Sequence, residues 1–189
     1  MRSSHTHVTE PVVLAARPEF CLAADRGAVV GIHRAPLHGP LLKAIREALQ
    51  IAVDAHPAGL VCLSVFRLSR HFPLDPGFDK NVRELADTLR AIDRMVIANA
   101  TLIEFGGVRA VAMRLASRAV IKLARPRAEM ADFDRLTDAI AWVLPFAKRA
   151  GAPSDHMSWV KLYRHAERHL PDLDAVSHPA HPAKARTGS

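Results

Sequence analysis

The sequence predicts an α/β protein: a small, mixed, mostly parallel sheet with helices packed on it, plus one extra C-terminal helix. Three observations carry that prediction. Short apolar runs rich in branched residues, "GLVCLSVF" (59–66) and "MVIANATLIEF" (95–105), have the length of buried strands. Between and after them lie longer stretches whose apolar residues recur at helical spacing. Helices alternating with apolar strands require crossover connections, and crossovers join parallel strands.

Each element has its own local reason. "FCLAADRGAVVGIH" (20–33) reads as two strands joined at Asp25-Arg26-Gly27, where the glycine supplies the positive φ of a tight hairpin. This hairpin is the antiparallel exception in the sheet. Pro40 suits the first turn of a helix, where its missing N–H costs nothing. Leu41, Leu42, Ile45, Ala48, Leu49, Ala52 and Val53 then fall on one face, and His56-Pro57 ends the helix. After the strand 59–66 comes "RLSRHFPLDPGF", an irregular loop, and Asp79 is placed to cap the next helix. Its inner stripe is Val82, Leu85, Ala86, Leu89 and Ile92. Gly106-Gly107 turns the strand "MVIANATLIEF" into a third helix. A short strand fits within 127–130, and Asp134 is a plausible cap for a helix carrying Leu136, Ala139, Ile140 and Val143. Pro145 either kinks or ends that helix. Ser154 or Asp155 can cap a last helix with Trp159, Tyr163, Ala166 and Leu170 on one face.

At 189 residues the chain suits one domain with tails. The expected organisation is a disordered segment at 1–17, an α/β domain at 18–150, an amphipathic helix at 151–170 and an unfolded Pro/His/Ala tail at 171–189. Nearly half the residues are apolar but only 5% are aromatic, so the core must be built mainly from Ala, Val, Leu and Ile. No apolar run approaches the roughly 20 residues needed to span a bilayer, and "PVVLAA" (11–16) is too short and poorly flanked for a signal peptide. Cys21 and Cys62 sit singly in strand-like runs, as buried thiols of a reducing cytoplasm do.

The order of elements resembles the STAS-type (anti-sigma-factor antagonist) fold, and more loosely the small STAS/SEC14-like regulatory proteins. The likeness covers about residues 18 to 150. It rests on the hairpin "CLAADRGAVVGIH", the strands "GLVCLSVF" and "MVIANATLIEF", and the closing helix "FDRLTDAIAWV". The resemblance implies a regulatory protein-interaction module. Phosphorylatable members carry an Asp-x-Ser motif after the third strand; here that strand ends "VFRLSRHF", where Ser69 follows Arg67 and Leu68. A serine switch is therefore not carried over.

No G-x-S-x-G, P-loop, H-E-x-x-H or C-x-x-C motif occurs, and no cofactor is expected. His33 and His38 flank a loop entry and could act as acid or base, with no nucleophile singled out. His165 and His169 share a helix face, but no further ligand has a spacing that completes a metal shell. A solvated basic face fits them better.

The net charge of +7 suits an acidic partner. One stretch concentrates it. Six basic residues and no acidic one lie between Glu104 and Glu129. On a helix, Val108, Val111, Ala112, Leu115, Ala116, Ala119 and Leu123 form a broad apolar face, with Arg114, Arg118, Lys122 and Arg125 in an arc beside it. Arg109, Arg114, Arg118, Lys122 and Arg125 are thus the expected contact surface for an acidic protein. A second expectation is a small anion or lipid held at Gly106, Gly107 and Arg109, where a helix N-terminus offers free amides. Nucleic acid is disfavoured because aromatic stacking platforms are missing. The helix "SWVKLYRHAERHL" is basic and amphipathic, and either lies on a membrane or partner or packs back on its own sheet.

Overall fold

A computed structural model describes residues 10–35, 37–67 and 78–171. Residues 68–77 of the expected loop at 67–78, Ser69 among them, and residues 172–189 of the expected tail at 171–189 lie outside the described residues.

The chain folds as α/β. Strands β1 (Val12–Arg17), β2 (Phe20–Asp25), β3 (Ala28–His33), β4 (Leu60–Phe66), β5 (Val96–Ile103) and β6 (Glu129–Phe133) form a single sheet in chain order. The first three are antiparallel and β3 to β6 are parallel. Arg26 and Gly27, at φ 45° and 80°, make the tight β2–β3 hairpin. Residues 12–17, expected to be disordered, instead add an edge strand to β2. Pro11 precedes it, and its first residue, Val12, is largely exposed. The strand expected within 127–130 runs later, at Glu129–Phe133.

Helices α1 (Gly39–Ala55), α2 (Phe78–Ile92) and α3 (Gly107–Ala124) make the three crossovers; α4 (Leu136–Ala150) and α5 (His156–Arg168) follow β6. Because the parallel strands advance in one direction, right-handed crossovers place α1, α2 and α3 on one face. The chain then returns over the other face. There α4 and α5 bury Ile140, Val143, Trp159 and Leu162 against Ile32, Leu63, Val65 and Leu102. Thus the basic C-terminal helix packs back on the sheet. Asp155 caps it, accepting from the Ser158 amide at 2.9 Å. Pro145 lies inside α4, which continues to Gly151 in the left-handed region. Arg135 rather than Asp134 is the N-cap of α4, and Asp134 pairs with Arg114 instead.

On the first face α1 seals Leu41, Ile45 and Leu49 against Phe20, Val29 and Leu60. Farther along, α3 leans on α2 through Val120, Ala124 and Ala86. Cys21 and Cys62 are free, buried and on opposite faces of the sheet, with burial pushing their thiols up to about 11 and about 12. Among the described residues no helix is long and apolar enough to cross a membrane.

Candidate functional site

Two regions of α3 bear on function: its outer face and the space beneath it. The outer face corrects the expected surface. Buried positions on α3 are Ala110, Val120 and Ala124. Val108, Val111, Leu115 and Leu123 point the other way, and are 86%, 54%, 60% and 44% exposed. The broad apolar face of the sequence is therefore mostly the solvent face. Val108, Val111, Leu115, Ala119 and Leu123 recur every three or four residues, so they form a continuous stripe.

The basic residues flank it, in unequal states. Arg114 is half-buried and its guanidinium pairs with Asp134 at the end of β6, so it is not free for a partner. Ser117 donates to Asp132 nearby, at 3.3 Å, anchoring the same side of the helix. Arg109, Arg118, Lys122 and Arg125 are exposed and have no carboxylate partner among the described residues. Arg125 is also the left-handed C-cap of α3, at φ 49°. Arg90 donates to the Leu123 carbonyl at 2.9 Å, which satisfies one of the last carbonyls of the helix. The start of α3 is open: Gly106 is an N-cap without a side-chain hydrogen bond, Gly107 has φ 72°, and nothing lies within 4 Å of a Cβ at either.

Beneath α3, between its inner face and strands β3 to β6, lies a cavity of about 220 Å³. Its walls are mainly Leu, Ile, Val and Met from α1, α2, α3 and the sheet. Polar side chains interrupt the sheet floor because the parallel register aligns them: Gly31 opposite Ser64, Ser64 opposite Thr101, and Cys62 opposite Asn99. Ser64 donates to Asn99 Oδ1 at 2.8 Å, and Asn99 donates on to Thr101 Oγ1 at 3.4 Å. His33 also lines the cavity, stacked between Phe20 and Phe66 with ring centroids 6.4 and 5.0 Å away. Gly31 makes room for that ring, since a Cβ there would sit 3.0 Å from His33 Nε2 and 2.7 Å from Leu22 Cδ2. Burial lowers the His33 pKa to about 4, and its Nδ1 is buried with no hydrogen-bond partner. The expected acid–base candidate is thus a neutral imidazole in an apolar stack.

A third cluster escaped the sequence reading. Arg67, just past β4, donates to Glu104 at 2.6 Å, to Glu167 at 2.9 Å and to the Tyr163 hydroxyl. Tyr163 in turn donates to the other Glu104 oxygen at 2.9 Å. Burial and the Glu104 carboxylate push the Tyr163 phenol up to about 12, so it stays a donor. This network ties α5 to the ends of β4 and β5. Its signal was present in the sequence: two adjacent strands end in opposite charges one residue past their last apolar position.

The His165 and His169 rings lie 4.4 Å apart and tilted by 40°, with His169 Nδ1 at 2.8 Å from the His165 carbonyl oxygen. Among the described residues no group of three or more His, Cys, Asp or Glu could hold a metal ion. The fold and these sites define a three-layer α/β protein with a mixed sheet, an exposed apolar face on α3 and a partly open cavity beneath that helix. Comparison with protein-family models, curated proteins and solved structures gives no match.

Proposed function

We propose that the chain is a non-catalytic interaction module, of the STAS-like regulatory kind its element order resembles, that docks another protein through the outer face of α3. One observation carries this reading: an apolar stripe, Val108, Val111, Leu115 and Leu123, faces solvent between Arg109, Arg118, Lys122 and Arg125. Exposed contiguous apolar surface rimmed by charge marks an interaction site. The unpaired cations select an acidic partner: a protein segment with apolar anchors flanked by Asp or Glu. A second copy of this chain would set like charges against each other. The pairing of the described groups supports a non-catalytic role, since the Ser64 hydroxyl donates to the Asn99 amide oxygen, which is no base, and both thiols are buried with raised pKa values. An anion at the Gly106-Gly107 start has only the open amides and Arg109 in its favour.

Photo-cross-linking in the native cell tests the proposal, with p-benzoylphenylalanine replacing Leu115 or Val111. The expected result is one discrete protein adduct at both positions and none from Glu47, on the outside of α1. Arg118→Glu with Lys122→Glu should abolish it. An adduct that survives this reversal, a self-adduct, or attachment to lipid alone would overturn the reading.

A further inference from the structure

The cavity under α3 goes beyond the docking surface and does not depend on it. We propose that it is a binding site for a compact, uncharged, mainly apolar molecule carrying a carbonyl or hydroxyl group. A space of about 220 Å³ is far larger than one or two waters need, and its walls are mainly apolar, with polar side chains along the sheet floor and at Thr88, Asp93 and Ser117. Such a shape, with few convergent polar groups, is that of a small-molecule pocket.

The polar groups define the ligand. The relay from Ser64 through Asn99 to Thr101 is unfinished at both ends: the Thr101 hydroxyl has accepted a hydrogen bond and keeps its own proton, and the Ser64 oxygen keeps its lone pairs. A buried hydroxyl left with an unused donor costs free energy, and a ligand carbonyl or hydroxyl would recover it. Among the described residues that line the cavity the one charged side chain is Asp93, so no cation stands there to hold an anionic ligand. The Asp93 carboxylate already accepts from the Arg127 and Ala128 amides, and His33 is neutral.

The probe is 6-propionyl-2-dimethylaminonaphthalene, an uncharged bicyclic ketone whose emission shifts to the blue in an apolar site. It should bind the wild-type chain saturably at one site, with contacts in NMR to the Met113 and Met130 methyl groups, which line the cavity. Ala116→Phe, filling the cavity from α3, should abolish the shift. Thr101→Val should weaken binding about tenfold, as loss of one hydrogen bond does. Leu115→Ser, on the outer face, should leave it unchanged. The proposal is overturned if the probe shows no saturable binding, contacts neither methionine, or is lost with Leu115→Ser rather than with the cavity variants. Should Ala116→Phe not fold, the wild-type methyl contacts and Thr101→Val still decide.

Discussion

At the residue scale, His33 has the clearest measurable consequence. Burial lowers its pKa from 6.5 to about 4, and the rings stacked on it carry no charge to hold a proton. The unfolded chain therefore binds this proton more readily than the folded one. The contribution is complete above pH 6.5 and is lost as pH falls toward 4, amounting to about 3 kcal/mol. In chemical denaturation across that range, His33→Phe should show a flatter pH dependence than wild type; parallel curves would contradict it. Arg67→Ala should cost about 1–3 kcal/mol, because Glu104 and Glu167 lose their shared cation, while Tyr163→Phe costs about 1. Thermal unfolding measures both. The sequence marked His33 only as a histidine near a loop. Its burial depends on Phe20 and Phe66, which the β2–β3–β4 register brings to either side of it.

At the scale of elements, the sequence located α1, β4, β5 and the β2–β3 hairpin closely, because each has a single apolar face or run bounded by Pro or Gly. It failed on α3 for a physical reason. Apolar residues occur around nearly its whole circumference, so periodicity could not select the inner side. Ser117 is the better marker of that side, since Asp132 on β6 satisfies it. The basic arc was legible, but the loss of Arg114 to Asp134 was not, because that contact depends on where β6 ends. The two sides of α3 should differ sharply in stability measurements. Val120→Ala should cost about 1–3 kcal/mol in urea unfolding, and Val111→Ser should fall within about 0.5. Equal costs would place α3 in a different rotation.

At the scale of the molecule, the monotonic strand order accounts for the layers. Three crossovers fill one face, and the chain after β6 has only the other face left to cover. The pattern of alternating runs made the mixed sheet legible, whereas β1 was hidden by its short, half-exposed run. The same order makes α5 part of the core rather than an appendage: Trp159, Leu162 and Tyr163 are buried against β2 and β3 and beside α4. A chain stopped at Pro153 should lose its cooperative thermal transition, since Cys21, Ala23, Val30 and Ile32 would face water. Retention of that transition in circular dichroism would show that α5 is dispensable.

The outward rotation of α3 underlies both the docking face and the cavity, and thiol labelling reads it directly. With Cys21 and Cys62 buried and silent, Leu115→Cys should react rapidly with 5,5′-dithiobis(2-nitrobenzoate) in the folded chain, and Val120→Cys should react only on unfolding. Fast labelling at position 120 with protection at 115 would contradict the account.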